Sequence, residues 1–265
     1  MSQLLLDQLF SVKDKVVLVT GGSRGIGLMI ASTFVENGAK VYISSRKAAV
    51  CAEVAAELSK IGSCTAIPAD LSTKAGIQLL SEELSNRESR LDVLINNAGA
   101  AWGAPFEQFP ENGYDKVMDL NVKSVFYLTQ ALMPLIKESA SNEDPARIIN
   151  IGSIDGIRVP GMDNVPYAFS KAAVHHMSKV LAMKFAGKGI TVNAIAPGPF
   201  PSKMTEFMLD KFQQQVEQMN PMRRIGAPGD MGGIALFLSS PAGAYVNGTV
   251  IPVDGGFHLM GPPGA

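Results

Sequence analysis

Cysteine is scarce in this chain: Cys51 and Cys64 are the only two among 265 residues. So few thiols in a chain of this length exclude a disulfide framework and fit two side chains buried in a reducing compartment. Histidine is equally thin. His175, His176 and His258 show no metal-ligand spacing, because adjacent helical residues point in different directions, so no metal site is expected. Net charge is almost absent, at −1 with 23 basic and 24 acidic residues. Without a Lys/Arg-rich run there is no electrostatic footprint for nucleic acid or for an anionic membrane. No apolar run approaches the ~18 to 20 residues of a membrane span. The stretch Met1 to Phe10 has no basic region ahead of its leucines, so the expectation is a soluble, unsecreted, cytoplasmic chain.

What is present is a balanced composition, 46% hydrophobic and 18% charged, enough for a sizeable core in a single domain. Short β-branched runs alternate with helical patterns from end to end. Strands are expected at Lys15 to Thr20, Lys40 to Ser44, Cys64 to Pro68, Asp92 to Asn96, Arg147 to Gly152, Ile190 to Ala196 and Thr249 to Val253. Several are almost wholly apolar, as Val16-Val17-Leu18-Val19 is, which suits strands covered by helices on both faces. The fold class is therefore α/β, a doubly wound, seven-stranded parallel sheet. Ile26, Ile30 and Phe34, like Val174, Met177 and Leu181, recur at helical spacing and read as core. There is no internal repeat and no linker before the tail Gly261-Pro262-Pro263-Gly264-Ala265, which is expected to fray.

Directly after the first expected strand comes Thr20-Gly21-Gly22-Ser23-Arg24-Gly25-Ile26-Gly27, leading into a helix. Glycines there let the chain turn sharply and bring backbone N–H groups and a helix N-terminus up to a pyrophosphate. The spacing is G-x-x-x-G-x-G, and its place between strand and helix points to dinucleotide binding. About twenty residues beyond such a loop a carboxylate would hold the 2′-hydroxyl of NAD, whereas an arginine accommodates the 2′-phosphate of NADP. The second strand ends Ile43-Ser44-Ser45-Arg46-Lys47, with no carboxylate. NADP(H) is expected, with Arg24 closing on the same phosphate as Arg46.

Further on, Tyr167-Ala168-Phe169-Ser170-Lys171 places a phenol and an ammonium on one helical face, a turn apart. A free tyrosine titrates near ~10, and a neighbouring cation could lower that. With the glycine loop and this pair both present, the sequence resembles the short-chain dehydrogenase/reductase family over nearly its whole length. The resemblance implies a Rossmann-fold catalytic domain over residues 15–258, an N-terminal extension over 1–14, a substrate lid at about 199–225 and a flexible tail over 259–265. It also implies that Asn97, Ala98 and Gly99, in Asn96-Asn97-Ala98-Gly99, face the adenine side, together with Asp70 and Leu71. Gly21, Ser23, Arg24, Gly25, Ile26 and Gly27 would hold the pyrophosphate, and Ser45 with Arg46 the 2′-phosphate. Pro197-Gly198 and Ser202 would lie near the nicotinamide, Ser202 standing where the family more often has threonine.

By the same resemblance Asn121, Ser153, Tyr167 and Lys171 form the catalytic set. Tyr167 would transfer the proton, Ser153 would support the carbonyl oxygen, and Lys171 would lower the tyrosine's pKa and grip the nicotinamide ribose. Asn121 would hold a water leading from Lys171 to solvent.

Specificity in this fold is expected from loops at the carboxyl ends of the strands. Those loops carry Trp102, then Ile157, Val159 and Met162, then Phe200, Met204, Phe207 and Met208. Trp102, Ile157, Phe200 and Met204 are the candidate substrate contacts, an apolar wall that suits an acyl chain or a hydrophobic ketone. Ala101-Trp102-Gly103-Ala104, Pro145-Ala146-Arg147-Ile148-Ile149-Asn150 and Pro199-Phe200-Pro201-Ser202-Lys203-Met204-Thr205 are similar to bacterial β-ketoacyl reductases of the rhamnolipid-pathway kind. The expected reaction is reduction of a ketone or 3-oxoacyl thioester. The alternatives are an oxidoreductase of small ketones, sugars or polyols, and a catalytically silent NADP-binding regulator. Arg223 and Arg224 near the lid are either a solvated pair or a contact for a carrier protein. Family analogy adds a homotetramer, with helices over Asn112 to Lys137 and Tyr167 to Ala186 at its interface.

Overall fold

The structure, a computed structural model, describes residues 5–260. The tail from Gly261 to Ala265 and the side chains of Phe207 and Met208 lie outside the described residues. A short helix α1 (Leu6–Leu9) leads to β1 (Val16–Thr20), α2 (Gly25–Glu36), β2 (Lys40–Ser44), α3 (Ala48–Leu58), β3 (Ser63–Ala66), α4 (Lys74–Ser85) and β4 (Val93–Asn96). Helices α5 (Glu111–Met118) and α6 (Ser124–Ser139) follow, then β5 (Ala146–Ile151), α7 (Val165–Phe185), β6 (Ile190–Pro197), α8 (Glu206–Met219), α9 (Pro228–Ser239) and β7 (Val250–Val253).

Among the described residues seven strands form one sheet in the order β3-β2-β1-β4-β5-β6-β7, and every pairing is parallel. Alternation along each strand sends neighbouring side chains to opposite faces. Val16 and Leu18 of β1 join one apolar cluster with Leu80 and Leu84 of α4, Leu128 and Leu132 of α6 and Leu181 of α7. Val17 and Val19 join another with Ile30 and Phe34 of α2, Cys51 of α3 and Leu238 of α9. The strands read as apolar throughout because both faces are covered. The order reverses between β1 and β4, so a crevice opens at their carboxyl ends, where ligands bind in open α/β sheets. Both cysteines are buried free thiols, and burial pushes Cys64 up to about 11.

Two elements differ from the periodic pattern. The helix expected over Asn112 to Lys137 is interrupted by a π-helical turn, Asp119–Lys123, between α5 and α6. Such turns occur frequently at functional sites, and this one turns Asn121 inward, where it is 1% exposed. The segment over 199–225 holds α8, kinked at Phe212. Among the described residues no helix is long and apolar enough to cross a membrane.

Candidate active site

Backbone geometry accounts for the glycines after β1. Gly21 and Gly25 have φ of +66° and +53°, left-handed backbone that favours glycine. A Cβ at Gly27 would lie 2.3 Å from the Gly21 carbonyl oxygen and 2.4 Å from Asn97 Nδ2, so only glycine lets α2 start this close to the turn. Arg24 is the N-cap of α2, exposed, and its side chain makes no capping hydrogen bond. The first-turn N–H groups, those of Gly25, Ile26 and Gly27, are thereby left for an anion. Ser23 is buried beneath them.

A second such end lies beside it. Helix α3 begins after Lys47, again without a side-chain cap, and Arg46 is exposed there. Ser44 Oγ is buried and has no partner among the described residues, and Ser45 lies against the Cys51 thiol. With two cationic side chains and no carboxylate, this end suits a ribose phosphate over a bare ribose hydroxyl.

Across the crevice, Thr20 Oγ1 accepts from Asn97 N (2.9 Å) and Ala98 N (3.0 Å) and donates to Ile95 O (3.3 Å). Asn97 Nδ2 donates to Thr20 O at 2.8 Å and Gly21 O at 3.3 Å. The Asn97 amide therefore ties the β4 turn to the glycine turn. Asp70 Oδ1 accepts from Ser72 N (3.1 Å) and Ser72 Oγ (2.7 Å), and Leu71 is core, so its side chain faces away from the crevice. After Pro197, a Cβ at Gly198 would meet Asp254 at 2.5 Å, and Ser202 Cβ lies 3.1 Å from the Cβ position of Gly25. The segment after Gly198 thus folds down onto the glycine turn, braced by Thr205, whose Oγ1 donates to Phe200 O at 2.6 Å.

Ser153, Tyr167 and Lys171 meet where β5 ends and α7 begins. Lys171 Nζ donates to Ile151 O at 2.8 Å and lies 5.6 Å from the Tyr167 ring centroid. Asn121 Oδ1 accepts from Ala100 N (2.8 Å), while its Nδ2 donates to Ala100 O (3.0 Å) and Ser170 Oγ (2.9 Å). Its amide is committed to holding the β4 turn. A Cβ at Gly99 would come 3.3 Å from Asn121 Oδ1 and 3.6 Å from Lys171 Nζ, which places the bare face of Gly99 beside both groups.

Burial sets the electrostatics. It lowers Lys171 to about 8. The Tyr167 ring is partly exposed, yet desolvation pushes its phenol up to about 12 against the opposing hydrogen bond with Ser153. Burial, with the Asp155 carboxylate adding to it, sets the direction for Tyr167, while the Lys171 ammonium is held by Ile151 O.

The substrate side is only partly the wall expected. Ile157, Val159, Met162 and Met204 are exposed. Trp102 packs on Gly113, where a Cβ would come within 2.9 Å of the ring, and Lys116 Nζ stands 4.9 Å from its centroid. Phe200 is 2% exposed and joins the core cluster that includes residues of α2 and α9. Its ring covers Gly226, where a Cβ would come within 2.2 Å. Arg224 pairs with Asp230 at 2.9 Å, and Arg223 donates to Gln218 O.

Comparison with known proteins agrees with this geometry. A family model described as enoyl-(acyl carrier protein) reductase matches residues 21–258, and the chain belongs to the short-chain dehydrogenase/reductase family. Among its relatives, a Pseudomonas aeruginosa rhamnolipids biosynthesis 3-oxoacyl-[acyl-carrier-protein] reductase is 50% identical over 252 residues, 94% of this chain and 98% of that protein. A solved Pseudomonas aeruginosa RhlG/NADP active-site complex matches with a TM-score of 0.92 at 50% identity, covering 95% of this chain and 99% of that one. A Burkholderia cenocepacia gluconate 5-dehydrogenase, solved with NADP and tartrate, matches with a TM-score of 0.88 at 29% identity, covering 96% and 99%.

Several polar residues escape the motifs. Thr20 bridges β1 to the β4 turn, and its signal is only a strand-end hydroxyl ahead of glycine. Asp155, Arg158 and Asn164 form a polar group within the loop read as apolar. Burial pushes the Asp155 carboxyl up while Arg158 and Asn164 pull it back, and Arg158 stacks 4.5 Å from the Phe257 centroid. Arg158 Nε and Asn164 Oδ1 are buried without partners among the described residues.

Proposed function

We propose that this protein is an NADPH-dependent ketoreductase that converts the 3-oxo group of an acyl thioester, or a related β-keto compound, to the hydroxyl. Bound NADPH supplies the hydride. The observation that carries this reading is the hydroxyl pair of Tyr167 and Ser153, side by side where β5 ends and α7 begins. As a carbonyl carbon is reduced, charge develops on its oxygen, and two O–H donors meet it there. Tyr167 delivers the proton, and Lys171, an ammonium below about pH 8, offsets the phenolate left behind. Asn121 keeps the Ala98 to Ala100 turn in place beside Lys171. Arg46 and Arg24 hold the 2′-phosphate, and the main chain from Gly21 to Gly27 receives the pyrophosphate. Ser202 and Gly198 border the nicotinamide side.

The residues present suit this chemistry over the enoyl reduction in the family model's description, since paired donors serve charge on oxygen. The relatives' names support a 3-oxoacyl substrate, and exposed Ile157, Val159, Met162 and Met204 offer an acyl chain apolar surface. One observation favours a second reading, an oxidoreductase of small sugar acids or polyols: the unpartnered polar atoms of Arg158 and Asn164. Residues 15–258 are taken as the catalytic body, with the lid at 199–225, in a homotetramer whose contacts include α6 and α7.

The test is a panel of an acetoacetyl thioester, a crotonyl thioester and simple ketones with NADPH, and gluconate with NADP⁺. Turnover of the acetoacetyl thioester well above the rest is expected; turnover of ketones or gluconate alone overturns the acyl reading. Tyr167→Phe is expected to lower turnover by about 10³-fold with NADPH binding kept, and near-normal activity in that variant would sink the mechanism.

A further inference from the structure

One buried titratable side chain beside the site has no part in the mechanism above. His175 is 6% exposed and lies one turn beyond Lys171 on α7, on the face that carries Tyr167 and Lys171. Its ring occupies space left by two glycines of the loop after β5. A Cβ at Gly152 would come within 2.0 Å of Nε2, and one at Gly156 within 2.9 Å of Cε1. Between those glycines stands Ser153, whose main-chain N–H donates to His175 Nε2 at 3.4 Å. The Gly156 main chain lies close enough to the ring to favour its protonated form, against the larger effect of burial. The Gly156 N–H is already committed to Ser153 O at 3.0 Å. A neutral ring carrying its proton on Nδ1 leaves Nε2 free to accept from the Ser153 N–H.

The geometry points to His175 as a positioning residue: by accepting from the Ser153 N–H and filling the space left by Gly152 and Gly156, its ring sets where the Ser153 hydroxyl stands relative to Tyr167. This rests on the ketoreductase reading in one respect, that Ser153 donates to the substrate carbonyl.

The surroundings keep the ring neutral. Burial lowers His175 to about 4, and Lys171 and Lys179 add to the effect. The loop it packs on also carries Asp155 and Arg158, His176 lines the same cavity, and β7 contributes only Val250 and Pro252. That cavity, of about 420 Å³, is lined by the ring together with Lys179 and Ile157. Protonation would turn Nε2 from acceptor to donor and set it against the Ser153 N–H, so the loop loses its anchor as pH falls toward about 4.

Two substitutions separate positioning from packing. His175→Leu keeps an apolar side chain in the space and removes the acceptor. His175→Gln brings an amide oxygen to the Nε2 position without a titrating group. His175→Leu is expected to lower kcat about tenfold or more, because small misplacements of a donor are costly, while the Kd for NADPH stays within about twofold. His175→Gln is expected to keep kcat within about threefold of the parent. In single-turnover reduction between about pH 6 and pH 4 it should lack the acid loss of rate that the parent shows.

Unchanged kcat in His175→Leu, or an identical acid limb in His175→Gln and the parent, overturns the proposal. If His175→Leu fails to fold, the His175→Gln profile decides alone. Ser153→Ala distinguishes the two layers: full activity there overturns the role of Ser153 itself. Loss there with unaltered His175 variants overturns only the positioning.

Discussion

Lys171 shows what the site costs at the scale of one residue. It is 5% exposed and lowered to about 8, against an unfolded value near ~10.4. A folded-state pKa below the unfolded one means that the charged amine is penalised in full below about pH 8. Stability then rises with pH from there to the unfolded value, where the unfolded chain holds the extra proton. The penalty at neutral pH is on the order of 3 kcal/mol, partly offset by the bond to Ile151 O. Lys171→Met is therefore expected to raise the Tm of the cofactor-free protein by about 2–5 °C at pH 7 while abolishing turnover. The gain should shrink by pH 10, and a variant less stable than the parent at pH 7 would refute the account. Arg46 acts through binding instead. Arg46→Ala is expected to weaken NADPH by about tenfold to a hundredfold, the worth of a lost charge-assisted pair, and to leave NADH nearly unaffected. Equal losses for the two, read by fluorescence titration, would count against the phosphate assignment.

Among the elements, the turn from β1 into α2 is the one whose geometry admits least change. Gly27→Ala would press a Cβ to 2.3 Å from the Gly21 carbonyl oxygen, a main-chain atom that cannot step aside. A loss of about 1–3 kcal/mol and of measurable NADPH binding is expected. Gly233→Ala on α9, where a Cβ would meet nothing within 4 Å, should instead be neutral or stabilise by up to about 1 kcal/mol. Denaturant titration of the pair checks both, and equal effects would show that close approach is not what demands glycine at position 27. Elements of this kind are legible because their demands are local. Apolar runs announce the strands, since β1 feeds both clusters, and the glycine turn announces itself through spacing. The π-helical turn at Asp119–Lys123 is illegible because one additional residue per turn leaves the apolar pattern of α5 and α6 almost intact. The burial of Phe200 is not legible, because an aromatic beside a motif looks the same in sequence whether it lines a crevice or joins the core. His175 is overlooked when histidines are weighed only as metal ligands, although its spacing from Lys171 puts it on the catalytic face.

For the whole molecule, the sheet that builds the crevice also leaves two surfaces in need of cover. Helices α5, α6 and α7 expose Tyr114, Phe126, Tyr127, Phe169, Val180 and Met183, with Tyr114 and Phe169 in ring contact at 6.0 Å. Exposed apolar side chains gathered into one patch mark an interaction surface. At the far edge β7 pairs only with β6 and is half-buried along its length, an edge that invites pairing unless it is covered. Two distinct self-complementary faces on one chain generate a closed tetramer of dihedral symmetry, whereas one face alone stops at a dimer. The expected particle has four times the 28.1 kDa chain mass by light scattering. Placing glutamates at both Phe126 and Tyr127 puts charge into the helical face and leaves the β7 edge untouched, so the mass should fall by half and stop there. A parent protein of one chain mass, or a double variant that remains tetrameric, would refute this assembly.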